Sequence, residues 1–411
     1  MPGVDPLSRV VVFLQENKTP DFYFRSLAAF GAEIEVYPTV LPAAPDHDQP
    51  HDRSSWVHFR MGDYPGERTQ LDTDAVIPLY AWLAKSFVFC DHHFGIGSNS
   101  TSGHLMAVGG QTPTLKNPPF GPGGPVWDMP SIFAHAERGG VSWAAFPDQD
   151  HYPIKFYQEL NTPQRAAKIH PVRAGAPDPF VAMAKAGTLP RLVYAWGPGG
   201  ADEHPPYMKS DPAYLARGHD LIWQRIDAVV KAGDWANTTF ILTWDDWGGY
   251  ADHVVTPSVE TVVDVLHPGG FPVIGGSRLP LVMFGGKVGR RIDSSWHSHA
   301  SIPKTIIDLF GLPNFGVRRV DTAPSLAGFV NLVKPQSLPP ALGSTVVQPV
   351  PPVKRPKPVP PPAWIGPLNQ PLAPVVLNGG ITMPAPSDAI VRPKPPPTPK
   401  SLTATFSGIR Q

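Results

Sequence analysis

The sequence predicts an α/β protein with a mainly parallel, doubly wound sheet and helices on both faces. Three observations predict it. Short β-branched runs alternate with helical periodicity between residues 9 and 310. The runs are apolar throughout rather than alternating, as in strands covered on both sides. Polar clusters follow directly after two of them, where open parallel sheets present their ligand loops.

Taken in order, Arg9 to Leu14, Val141 to Phe146, Arg191 to Ala195, Thr238 to Trp244 and Leu279 to Phe284 read as buried strands. Thr19-Pro20-Asp21 reads as the cap and first turn of a helix, because proline is pre-set for that position. The stretch from Asp211 to Ala232 places Leu221, Ile222, Ile226, Val229 and Val230 on one helical face, and Gly233 supplies a C-terminal stop. A second helix, Ser301 to Phe310, packs Ile302, Ile306 and Leu309.

Composition divides the 411 residues in two. Residues 1–333 carry the alternating pattern and form one domain. Residues 334–411 hold repeated proline clusters and eight basic residues against the single acid Asp388, which predicts an extended, basic polyproline tail. Two apolar patches, Ala363 to Gly366 and Pro374 to Leu377, are expected to dock on the globular part, and the tail is expected to contact other proteins or the cell envelope.

Lys plus Arg equals Asp plus Glu at 34 each, so no global field draws the chain toward nucleic acid. Cys90 is the only cysteine, which excludes an internal disulfide and any site built from several thiolates; a metal here needs oxygen or imidazole ligands. No stretch is long and apolar enough to span a bilayer. The first residues lack a charged segment followed by a long apolar one, so a cytoplasmic location, or export by another route, is expected.

Two clusters carry candidate chemistry. Glu16-Asn17 directly follows the first strand; Asn17 or Thr19 is the helix cap, and Glu16 is either solvated or a ligand. Asp245-Asp246 closely follows an interior strand and precedes Gly248-Gly249 and Asp252-His253. Adjacent carboxylates repel unless something neutralises them, and a hard divalent cation does so with oxygen ligands. The bland alternative is a solvated turn with one aspartate capping; the apolar strand in front favours the cation. His204, His253 and His299 sit in loops near strand or helix ends. Gly97-Ser98-Asn99-Ser100-Thr101-Ser102-Gly103-His104 offers hydroxyls before a helix-like His104 to Val108. Alone, that loop reads as a polar turn with Ser102 as cap.

These segments, in this order, resemble the family of bacterial and plant phospholipases C and metal-dependent acid phosphatases, an alkaline-phosphatase-like fold. Gln15 through Phe24 is similar to Q-E-N-R-S-F-D-H-Y-F, Cys90 through Phe94 to D-H-Y-F, and Asp202-Glu203-His204-Pro205 to D-E-H-P. Thr243 through Val254 resembles T-Y-D-E-x-G-G-x-x-D-H-V, the most specific match. Gly276 through Pro280 looks like G-x-R-V-P, and His299 through Ile302 with Phe310 through Pro313 like H-T-S-I and F-G-L-P. The resemblance spans roughly Arg9 to Val330 and omits the tail.

The resemblance implies a hydrolase of phosphate esters, including phospholipids, that uses a divalent metal ion. It implies Glu16, Asn17, Asp245 and Asp246 as metal ligands and a hydroxyl nucleophile as a further ligand. His204, His253 and His299 would then lie near the phosphoryl or leaving groups. The nucleophile loop is closest to S-x-x-N-H, which selects Ser100 over Thr101 but leaves Gly103 where the pattern has Asn. That departure supports a second reading, a non-catalytic scaffold or cell-surface binding module that keeps the fold.

Overall fold

A computed structural model describes residues 9–330, except 63, 96–98, 119–123, 207–210, 255–258, 265–266 and 275, together with two short strands at 375–377 and 381–383. Val259–Asp264 and His267–Ile274 pair antiparallel. Gly97 and Ser98 of the hydroxyl-rich loop and the Ala363 to Gly366 patch lie outside the described residues. In the tail, Val375–Leu377 pairs antiparallel with Val126–Trp127 and with Ile381–Met383.

Seven strands form the central sheet: β1 Arg9–Gln15, β2 Val88–Cys90, β3 Trp143–Phe146, β4 Leu192–Trp196, β5 Thr238–Trp244, β6 Leu281–Gly285 and β7 Arg291–Asp293. Their spatial order is β7-β2-β6-β5-β1-β4-β3, and all run parallel except β6, which is antiparallel to both neighbours. The five apolar runs read from the sequence are five of these strands. Every residue of β1, β3, β4, β5 and β6 is buried, which is why none shows polar alternation.

The helices flanking this sheet include α1 Pro20–Tyr23, α2 Pro78–Ser86, α3 Ser100–Gly109, α4 Tyr214–Lys231 and α5 Ser301–Phe310. Thr19 caps α1, its hydroxyl accepting from the Phe22 N–H at 3.3 Å with Pro20 at the first position, so the cap is Thr19 and not Asn17. Helix α4 starts at Tyr214, and Gly233 beyond its end takes the left-handed conformation expected of a stop. Among the described residues no helix is long and apolar enough to cross a membrane.

The sheet positions the site through register. In the β1–β5 pair Leu14 lies opposite Thr243 and Gln15 opposite Trp244, so the two central strands end together and release Glu16 and Asp245 side by side. On the other flank of β1, Leu14 pairs with Trp196, the last residue of β4. Three carboxyl ends thus open onto one crevice, which α3 enters by its N-terminus.

Candidate metal centre

Glu16, Asn17, Ser100, Asp245 and Asp246 are brought together. The Asp245 N–H donates to Gln15 O at 3.1 Å, and the Asn17 N–H donates to Asp245 Oδ1 at 2.8 Å. Asn17 reaches this position with φ of 64°, a left-handed conformation that asparagine tolerates better than most residues. The Gly248 N–H donates to Asp246 Oδ1 at 3.0 Å, and the Ser100 hydroxyl donates to Asp246 Oδ2 at 3.2 Å. Thr101, by contrast, donates its hydroxyl to Asn117 Oδ1 at 2.8 Å and accepts from Tyr152 at 3.1 Å, so Ser100 is the hydroxyl at the carboxylates.

Gly103 explains the departure in the nucleophile loop. A Cβ there would lie 2.2 Å from Asp245 O, so this approach of α3 to the end of β5 admits only glycine. One turn beyond Ser100 on the same helical face, His104 Nε2 lies 2.8 Å from Glu16 Oε1 and 3.7 Å from Asp245 Oδ2.

The electrostatics are those of a buried carboxylate cluster that nearby His51 offsets only in part. Burial, then Glu16, raises Asp245 to about 7; burial, then Asp245, raises Asp246 to about 7. Burial, then Asp202 and Asp246, raises Glu16 to about 8. Lys18 is buried nearby, but its ammonium donates to main-chain oxygens, Glu16 O at 3.2 Å and Glu203 O at 2.8 Å.

The Asn17 amide gives a direct test of whether these side chains suit a cation. With its oxygen turned inward, Oδ1 lies 2.8 Å from Asp246 Oδ1 and 3.1 Å from Asp245 Oδ1, while its nitrogen lies 3.0 Å from His204 Nε2. Three oxygens then converge with no hydrogen between them, which a hard cation at their centre stabilises. Turned over, the amide nitrogen donates to both aspartates and its oxygen accepts from His204. His204 favours the first setting. Its Nδ1 is committed to Pro205 O at 2.7 Å and burial holds its pKa down near 4, so the neutral ring presents a bare Nε2 to the amide N–H. The donor set therefore fits a divalent ion held by Glu16, Asn17, Asp245 and Asp246, with Ser100 alongside.

The predicted histidines separate. His204 stands at the site and faces a cavity of about 500 Å³ lined also by Glu16, Ser100, Tyr152, Trp196 and Tyr214. His299 is fully buried behind it, its Nε2 2.9 Å from Trp244 O, and burial pushes its pKa down to about 4; it braces the end of β5 and does not line the cavity. His253 belongs to another cluster. Its Nδ1 lies 2.7 Å from Asp21 Oδ2, in a network where buried Arg278 also pairs with Asp21 at 2.8 Å and Asp252 at 3.0 Å. The expectation that His253 and His299 face the phosphoryl group is thus unmet by their contacts.

Two site residues escaped the sequence reading. His104 was legible only as the end of a motif. His51, in the His- and Asp-rich stretch Asp46 to Asp52, directs Nδ1 to Gln49 O at 2.6 Å and places Nε2 3.4 Å from the Asn17 amide. Its ring lies 5.4 Å from that of His204. Burial alone would lower its pKa, but Asp246 and Asp48 raise it to about 10.

Fold and site together define a class: α/β proteins that gather acidic and amide oxygens around a helix-borne serine at the carboxyl edge of a mainly parallel sheet. The chain belongs to the Phosphoesterase family, whose model matches residues 40–313. That span includes Ser100, His204, Asp245 and Asp246 and begins after Glu16 and Asn17. It is 22% identical over 295 residues to non-specific phospholipase C3 of Arabidopsis thaliana, covering 64% of this chain and 52% of that protein. It is 23% identical to a non-hemolytic phospholipase C of Burkholderia pseudomallei, covering 61% and 45%. The chain thus spans about half the length of the curated relatives it matches. Among solved structures, a Vibrio parahaemolyticus protein of the alkaline phosphatase superfamily is similar at 13% identity, covering 75% of this chain and 68% of that one, with a TM-score of 0.39.

Proposed function

We propose that this chain hydrolyses phosphate esters, as a phospholipase C or acid phosphatase does, through Ser100 and a phosphoseryl intermediate, with a divalent cation held by Glu16, Asn17, Asp245 and Asp246. The observation that carries it is the convergence of these oxygens from both ends of the domain beside one serine hydroxyl.

When bound, the cation supplies Lewis-acid stabilisation of charge on the phosphoryl oxygens. The chain's own groups do the rest. Ser100 Oγ attacks phosphorus in line as the bond to the departing alcohol breaks, and Asp246 Oδ2, which already accepts from that hydroxyl at 3.2 Å, takes the proton. The departing alcohol takes a proton from His51. His51 Nδ1 is committed to Gln49 O, so its transferable proton is on Nε2, while neutral His204 lines the cavity beside it. Water then gives a proton to His51 and cleaves the phosphoserine as Asp246 returns its proton to the departing Ser100 Oγ, releasing phosphate or a phosphorylated headgroup and regenerating Ser100. The N-terminus of α3 adds favourable dipole charge for the anionic group.

The scaffold reading drew on the altered nucleophile loop, and packing of Gly103 against Asp245 O accounts for that change. The test is hydrolysis of p-nitrophenyl phosphate and of a choline phosphodiester by metal-stripped protein, with Mg, Ca, Mn or Zn added back. Turnover restored by one ion and abolished in Asp245→Asn is expected. Undiminished turnover in chelator would overturn the proposal.

A further inference from the structure

We infer that Glu203 is a positioning residue for the metal centre: its carboxylate ties together the ends of β1 and β5, so that the ligands leaving those strands surround one point. This rests on the cation site proposed above and names a residue that makes no contact with substrate or ligand oxygens.

Glu203 is fully buried, with φ of 73°, in the loop after β4. Its Oε1 accepts from Gln15 Nε2 at 3.0 Å and from the Tyr80 hydroxyl; its Oε2 accepts from the Tyr23 hydroxyl at 2.8 Å and from Trp244 Nε1 at 3.0 Å. Gln15 immediately precedes Glu16, and Trp244 immediately precedes Asp245. Tyr23 lies in α1 and Tyr80 in α2. One side chain therefore fixes both strand ends against two helices.

The main chain reinforces the link, since the Glu16 N–H donates to Asp202 O at 2.8 Å and Lys18 Nζ to Glu203 O at 2.8 Å. Room for this carboxylate is tight: a Cβ on Gly218 of α4 would lie 2.6 Å from Glu203 Cγ. Four donors converging on one buried carboxylate leave little freedom in its placement. Strand ends free to shift by a fraction of an ångström would spoil convergence of the ligand oxygens while leaving each ligand in place.

The experiment is calorimetric titration of a divalent cation, the ion that best restores turnover, into metal-stripped protein. Folding of every variant is checked by circular dichroism. Glu203→Ala is expected to weaken cation affinity by about tenfold or more, the range seen when outer-shell partners are removed. Glu203→Gln, which keeps the shape and most of the hydrogen bonds, stays within about threefold of the wild type, and excess cation restores turnover in Glu203→Ala. A residue that merely supported the fold would lower the melting temperature without changing cation affinity of the folded protein. Should Glu203→Ala not fold, Trp244→Phe, which deletes one donor, is expected to lose affinity severalfold. A folded Glu203→Ala or Trp244→Phe with wild-type affinity overturns the inference. Wild-type protein that binds no divalent ion overturns the metal centre itself.

Discussion

The indole N–H of Trp196 donates to Nδ1 of His104 at 3.2 Å. This one bond decides the tautomer: with Nδ1 accepting, the ring proton sits on Nε2, directed at Glu16 Oε1 2.8 Å away. His104 is thus a neutral donor that orients a candidate ligand, and burial, which lowers its pKa, keeps it so.

His104→Ala removes that donor and is expected to lower turnover and cation affinity by roughly 10- to 100-fold. Steady-state kinetics at rising cation concentration checks this, with partial recovery at high concentration. Wild-type kinetics would show that Glu16 needs no such partner.

Ser100 and Thr101 are adjacent, but only Ser100 touches Asp246. Ser100→Ala should abolish turnover with cation binding largely kept, whereas Thr101→Ala, which loses contacts with Asn117 and Tyr152, should cost less than about tenfold. Phosphate trapped on the protein by acid quench and located by mass spectrometry should fall on Ser100.

Asp245 and Asp246 are held up at about 7 and Glu16 at about 8, in each case first by burial and then by a neighbouring carboxylate. Unfolded, such groups titrate near about 4. A pKa raised by folding stabilises fully below the unfolded value, and that contribution fades as pH rises through the folded one. Metal-free protein should therefore melt at progressively lower temperature between about pH 4 and 8. Saturating cation should remove most of that slope, because it takes the place of the protons. A metal-free melting temperature that is flat over this range would contradict the shared charge.

Two members of the Asp21 cluster give different outcomes. His253→Ala should leave kcat within about threefold, since the ring engages Asp21 rather than the ligands. Arg278→Ala should instead destabilise the fold by about 3–5 kcal/mol, because it strands Asp21 and Asp252 as buried charges. Kinetics of the first and denaturant unfolding of the second check the pair. A large kcat loss in His253→Ala would return that residue to the site.

Strands as apolar as Val10 to Leu14 and Phe240 to Leu242 were legible because burial on both faces removes every polar position. The same uniformity hides direction, so the antiparallel setting of β6 had no sequence signature. Three-residue strands such as β2 and β7 are too short for any periodicity to register. Glu16, Asn17, Asp245 and Asp246 were readable because they lie within two residues of strand ends, where local pattern and site coincide. His51 was not, since its loop approaches Asn17 only through the folded chain; the density of His and Asp from Asp46 to Asp52 was the available signal. His253 sits next to Asp252, and Arg278 draws both toward Asp21, a tertiary pairing that no spacing reveals.

Because nothing larger than hydrogen fits between Gly103 and the Asp245 carbonyl, the helix bearing the serine and the strand end leading into two of the acids form a seam without slack. A methyl group at that position would force Ser100 and the two aspartates apart, so the spacing between the helix start and the strand end is fixed by the absence of a single carbon.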